Sequence, residues 1–296
     1  SWADAYTDLQ DALGLYQACG SYSEIWVATG VYTPGTAVTD TFSMPPGVGI
    51  YGGFAATETQ RTQRDWVANP TILSGDIGGD DATAGDIITH TDGIVGANAR
   101  TVVTLDGTNG TPITGTTRLD GFTVTGGSGG TSDGYGGGLY CNGAGAGSEC
   151  SPTIANVTFS GNLASQYGGG IYADGEEGNS SPNLTNVILR GNSAGSWGGG
   201  MYHHSAGSPS LVNVTFDHNS AADNGGALVN DNNDNPSLVN VSFSRNTAQI
   251  GGGIFNTGDT INLSLANVVL WDNVATSMTG SQILNANATM AISHTL

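Results

Sequence analysis

Between Ser151 and Asn273 a nine-residue line recurs five times: IANVTFSGN from Ile154, LTNVILRGN from Leu184, LVNVTFDHN from Leu211, LVNVSFSRN from Leu238 and LANVVLWDN from Leu265. The starts lie 30, 27, 27 and 27 residues apart. Each of the first four is followed by a glycine-rich line: Gly168 to Tyr172 (GGGIY), Gly198 to Tyr202 (GGGMY), Gly225 to Val229 (GGALV) and Gly251 to Phe255 (GGGIF). A unit this short cannot bury an apolar face alone, so a fixed period in this range specifies a solenoid whose coils stack on one another.

Short apolar strands, Pro and Asn turns and stacked asparagines fit a parallel β-helix. No hexapeptide period marks the left-handed kind, so the fold class predicted is all-β, a right-handed parallel β-helix. Its dry core consists of the columns Ile154/Leu184/Leu211/Leu238/Leu265 and Phe159/Leu189/Phe216/Phe243/Leu270. Leu119 to Gly127 (LDGFTVTGG) is the first full rung, and Met290 to Leu296 begins one more.

Upstream the pattern is less regular. Ser1 to Cys19 carries Trp2, Ala5, Tyr6, Leu9, Ala12, Leu13 and Tyr16 at helical spacing, predicting an amphipathic helix that caps the first coil. Glu24 to Tyr32 then forms a coil, and Phe42 to Met44 with Gly49 to Phe54 a second. Ala55 to Trp66 and Gly75 to Asp86 leave the wall as loops. The expected organisation is one domain over 1–296: a capping helix at 1–19, irregular coils at 20–118 and regular coils of about 27 residues at 119–296.

Charge narrows the partners. There are 6 Lys+Arg, all arginine, against 25 Asp+Glu, a formal charge of −19. Nucleic acid needs a basic footprint and is excluded as an expected partner, and an anionic membrane surface is disfavoured. No apolar run approaches the roughly 20 residues of a membrane span, so no insertion is expected of this segment. The 48 glycines lack a three-residue period, which excludes collagen. Because the chain opens on Ser1-Trp2 and stops inside a further rung, it reads as a processed or partial product.

The glycine-rich lines, with GGGLY at Gly136, and the asparagine-ended lines FSGN, LRGN, FDHN, FSRN and LWDN resemble the paired GGAI and FxxN motifs of polymorphic outer-membrane proteins and related bacterial surface β-helix proteins. The N-terminal third, from SWADAYTDLQDAL through EIWVATGVY, GIYGGF and TILSGDIGGDD, is similar to the opening of large bacterial secreted proteins with right-handed parallel β-helix repeats. Together these imply a secreted or cell-surface setting and say little about activity. No translocator barrel of the first family is found in the sequence, which leaves surface attachment open.

Five sets of residues are candidates for structure or chemistry. Cys141 and Cys150 bracket a glycine-rich excursion and are expected to form a disulfide closing a surface loop, in an oxidising compartment. Cys19 is expected to be a buried small side chain. Asn162, Asn192, Asn219, Asn246 and Asn273 form a structural ladder. Among the N-x-S/T sequons, Asn109 and Asn179 lie where a glycan fits, whereas Asn156, Asn213 and Asn240 belong to a corner ladder. Asp76, Asp80, Asp81 and Asp86 offer hard oxygen ligands that can hold Ca2+, and no cofactor is required.

Arg190 aligns with Asp217 and Arg245 with Asp272, as surface ion pairs, and His203-His204 at a coil edge reads as an ordinary exposed pair, with transition-metal binding as the alternative. No convergent catalytic set is evident. The expectation is a non-catalytic structural or adhesive protein that binds glycans or a copy of itself, as filament or sheath. The alternative is a polysaccharide lyase or glycoside hydrolase of the pectate-lyase-like architecture. An ice-binding face is excluded by the mixed column Thr123, Thr158, Ile188, Thr215, Ser242 and Val269.

Overall fold

Side chains alternate along each strand, so a coil stays stable when every second residue is apolar and meets its counterpart one coil away. The computed structural model describes residues 2–19, 22–108, 110–130, 134–258, 260–286 and 288–293. It is a parallel β-helix of about nine turns behind one short N-terminal helix. A 15-stranded sheet and an eight-stranded sheet form its main walls, and a five-stranded ribbon of short strands forms a third side.

The apolar columns stack in register. Ile50, Leu119, Ile154, Leu184, Leu211, Leu238 and Leu265 pair in turn along the long wall. Beside them run Leu73, Val124, Phe159, Leu189, Phe216 and Phe243. The eight-stranded wall opposes both with Phe42, Val103, Leu139, Ile171, Met201, Leu228 and Ile254. All are buried, and each contributes on the order of 1.5–3 kcal/mol.

Two amide ladders brace the coils. In the inner one, Asn162, Asn192, Asn219 and Asn246 each donate Nδ2 to the Oδ1 of the next asparagine, ending on Asn273. Asn273 Nδ2 in turn donates to Gln282 Oε1, which closes the row. The same nitrogens also donate to strand carbonyls of the preceding coil. The outer ladder, Asn156, Asn186, Asn213, Asn240 and Asn267, runs in the opposite sense, each Nδ2 from Asn186 onward donating to the Oδ1 of the asparagine one coil earlier, with φ between 53° and 56° at each. Asparagine tolerates that left-handed backbone, which explains its choice at this corner. The outer amides beyond Asn156 are exposed, so what a glycan would displace there is ladder bonding rather than core packing.

The N-terminal third departs from expectation in two respects. The α-helix, α1, spans Leu9–Cys19, with Asp8 Oδ1 accepting from the Gln10 N–H, and begins well after Ser1. Trp2 is held elsewhere, against Trp26 and Phe54 and with its indole donating to Glu58 O, so Trp2, Ala5 and Tyr6 are not part of the helical face. Leu9 and Leu13 do enter the core over the first coil. The side chain of Cys19 lies outside the described residues.

Phe42–Ser43 completes the first coil rather than opening the second, since it pairs with Val103 and Thr104. The second coil consists of Gly49–Phe54, Thr71–Ser74 and Val103–Asp106, and both long excursions lie between these strands. The excursion from Ala55 is clamped down by Arg64, whose guanidinium meets Asp120 at 2.7 Å and donates to the Gly52 and Asp120 carbonyls. Arg61 adds an ion pair with Glu24 and a stacking contact over Tyr51.

Candidate functional site

On the outer face of the eight-stranded wall, the strands Leu139–Asn142, Ile171–Asp174, Met201–His204, Leu228–Asp231 and Ile254–Thr257 present two adjacent rows. One row is Tyr140, Tyr172, Tyr202, Val229 and Phe255; the other is Asn142, Asp174, His204, Asp231 and Thr257. At the corner before each strand a further row, Tyr135, Tyr167, Trp197, Asn224 and Ile250, is joined by parallel bridges. The chain can fold the corner row onto the strand row because Gly168 and Gly198 take φ of +66° and +69°, a region that disfavours side chains.

The rings form one connected stack. Tyr135 lies 5.6 Å from Tyr167 and 5.0 Å from Tyr172, Tyr140 lies 5.4 Å from Tyr172, and Tyr172 lies 5.4 Å from Tyr202. Trp197 meets Tyr202 edge-on at 5.9 Å. Tyr172 and Tyr202 are buried at 4% exposure, while Tyr135, Tyr140, Tyr167 and Trp197 keep part of their surface open. Burial, followed by the neighbouring Asp174 and Asp231 carboxylates, pushes the phenols of Tyr172 and Tyr202 far up, so they remain neutral hydrogen-bond partners.

The polar row is tied together. His204 Nδ1 sits 3.1 Å from Asp174 Oδ1 and 3.2 Å from the Tyr172 hydroxyl, and Tyr202 donates to Asp231 Oδ2 at 2.8 Å. The Asp174 hydrogen bond outweighs desolvation and raises the His204 imidazole above its ordinary value. Donor atoms of Asp174, Glu176 and His204 lie within 4.8 Å of one another.

Behind this face the inward column changes character along the axis: Leu105, Cys141, Ala173, His203, Asn230, Asn256 and Asn285. Cys141 and Cys150 form the expected disulfide, but both are fully buried, so it fastens the core under the glycine-rich excursion instead of a surface loop. His203 and His204 diverge to opposite faces, as strand neighbours must. His203 is fully buried, with Nδ1 2.6 Å from Asp234 Oδ2 and Nε2 2.6 Å from Ser180 O. Asn230, Asn256 and Asn285 make a third ladder that the 27-residue period conceals, because its steps are 26 and 29 residues.

Other expected residues are placed as follows. Asp76, Asp80 and Asp81 are gathered within 4.8 Å; Asp86 is not in that group. Their oxygens serve the loop itself. Asp76 accepts from the Gly79, Asp80 and Asp81 N–H groups, and Asp81 from the Val95 N–H and the Asn98 amide. Burial raises the Asp81 carboxyl against those bonds. Asn179 is half-buried and donates to Ser151 Oγ, and Asn109 lies outside the described residues. Asp217 pairs with Arg245 and His218, whereas Arg190, its register neighbour, donates to Ser160 Oγ.

Fold and site define a parallel β-helix repeat protein with an aromatic and acidic stripe on one wall. The Chlamydia polymorphic membrane protein repeat matches residues 156–174 and 213–231. Each match runs from an outer-ladder asparagine, through an inner-ladder asparagine and the corner glycine, to Asp174 or Asp231 of the stripe. Two short segments of the chain therefore resemble repeats of that type. Comparison with curated proteins and with solved structures gave no match. Among the described residues no helix is long and apolar enough to cross a membrane.

Proposed function

We propose that this chain is the adhesive, non-catalytic β-helix of a bacterial surface or secreted protein, and that its stripe binds a neutral extracellular glycan. The carrying observation is the run of partly open rings Tyr135, Tyr140, Tyr167 and Trp197 next to Asp174, His204 and Asp231. Aromatic faces stack on the apolar faces of sugars, carboxylates accept from hydroxyls, and a chain of charge −19 repels acidic polysaccharides. Binding to immobilised neutral and acidic polysaccharides tests this. Retention on a neutral glycan, lost in Trp197→Ala with Tyr167→Ala, supports it; equal retention of wild type and variant overturns it.

Self-association into filament or sheath is a second reading, favoured by Val269, Trp271 and Val274, which are exposed at 44%, 71% and 45% near one end. Light scattering over a wide concentration range decides it, a constant monomer mass ruling it out. The alternative of a polysaccharide lyase or glycoside hydrolase is favoured by the close carboxylates of Asp174 with Glu176 and of Asp76 with Asp80 and Asp81, and product release from a polysaccharide panel tests it. Calcium at Asp76, Asp80 and Asp81 and a glycan on Asn179 belong to the same proposal. Calcium titration and intact mass of protein from its native source check them.

A further inference from the structure

We infer that Asp174, Glu176 and His204 form a binding site for a borderline divalent cation of the Zn2+ class, facing outward from the eight-stranded wall. The site holds one imidazole nitrogen and two carboxylates whose donor atoms lie within 4.8 Å of one another. A mixed nitrogen and oxygen set suits Zn2+ and its neighbours, whereas Ca2+ takes oxygen alone.

The geometry is close to what such an ion needs. With bonds of about 2.0–2.1 Å, the edge of a coordination tetrahedron is about 3.3–3.4 Å. Asp174 Oδ1 and His204 Nδ1 already stand 3.1 Å apart. Glu176 is exposed, and rotation of its flexible side chain can bring its carboxylate to the same spacing. The ion takes Nδ1 in its unprotonated form, and a proton held there leaves to solvent on binding.

Preorganisation provides an independent observation. The imidazole stacks on Tyr202 at 5.7 Å and 22° and on Tyr172 at 6.3 Å and 19°, which fixes its plane. Asp174 is only 8% exposed and its Oδ1 also accepts from the Glu176 N–H, so loop and strand are already joined at the site. Asp231, 7% exposed in the next coil, adds a third acid near the one imidazole. Partly desolvated acids in excess favour a cation that can neutralise them. Three protein ligands leave a coordination position open toward solvent, where an oxygen of an external ligand can enter.

Isothermal titration of the whole protein with Zn2+ tests the site, with Co2+ as a spectroscopic probe. One ion per chain is expected, and the visible band of Co2+ reports imidazole and carboxylate ligation. His204→Ala and Glu176→Gln are each expected to weaken binding by about 10- to 100-fold. Asp80→Asn, in the separate acidic loop, leaves binding unchanged. Both site variants alter partly open side chains, and an unchanged thermal transition verifies that they fold. Absence of Zn2+ binding, or binding that Asp80→Asn abolishes and His204→Ala spares, overturns the assignment.

Discussion

Replacing Asn219 by alanine tests whether the inner amide ladder holds the coils together. Asn219 Nδ2 donates to Leu189 O at 2.9 Å and to Asn246 Oδ1 at 3.0 Å, and its Oδ1 accepts from the backbone N and Nδ2 of Asn192 at 3.1 and 2.9 Å. Alanine removes all four bonds at about 1 kcal/mol each. It also strips the Asn192 N–H of its side-chain acceptor in a row where Asn192 and Asn219 are 0% and 1% exposed, adding about 1–2 kcal/mol. The expected loss is therefore about 5–6 kcal/mol. Asn213→Gly in the exposed ladder is the control. It removes one bond donated to Asn186 and one accepted from Asn240 while keeping the left-handed backbone accessible, with an expected loss of about 1–2 kcal/mol. Urea unfolding followed by circular dichroism gives both values from the midpoint and slope. Should Asn219→Ala lose no more stability than Asn213→Gly, the claim that the buried ladder braces the stack is wrong.

Three further outcomes are expected. Cys141→Ser with Cys150→Ser lowers stability by about 2–3 kcal/mol through release of a short closed loop, and the buried wild-type disulfide resists reductant until denaturant is added, as thiol counting checks. Arg64→Met leaves Asp120 short of one buried partner, with Arg118 still in contact at 2.8 Å, so the loss is about 3 kcal/mol and the Ala55 excursion becomes cleavable by trypsin at Arg61. The third concerns pH. Burial opposes the charge on His203, but Asp234 and the Ser180 carbonyl outweigh it and raise the imidazole above its ordinary 6.5. Burial likewise raises Asp234, so the folded pair holds its proton more tightly than the unfolded chain does. That stabilisation is complete below about pH 6.5 and is lost as pH rises through the folded value. The urea midpoint should fall across neutral to alkaline pH, and Asp234→Asn should flatten the slope.

Whatever recurs in every coil was readable from the chain. The Leu184 and Leu189 columns and the Asn192 ladder occupy fixed places in the period, because each coil meets the same neighbours as the next. Elements without a counterpart one coil away were harder to place. Phe42 has two strand-like neighbours in sequence, and only its pairing with Val103 assigns it to the first coil. Trp2, Ala5 and Tyr6 continue the helical spacing of Leu9 and Leu13, yet the stacking of Trp2 on Trp26 and Phe54 draws that segment away. The stripe has its own signal in the sequence: Tyr135, Tyr167 and Trp197 each stand five residues before Tyr140, Tyr172 and Tyr202, across the corner glycines, and this spacing marks an aromatic corner. His203 and His204 show why adjacent residues mislead: strand alternation places one in the dry core and the other on the surface.

The one-way sense of the inner ladder bears on how such a protein changes length. Every amide from Asn162 to Asn246 offers one hydrogen forward to the next oxygen and the other back to a strand carbonyl, its own oxygen accepts from the preceding rung, and Gln282 accepts from the last member. A tandem duplication of one 27-residue unit between any two of these rungs inserts one donor and one acceptor and leaves both junctions matched. Unequal recombination within the gene can thus lengthen or shorten the rod by whole coils without any compensating substitution at its ends.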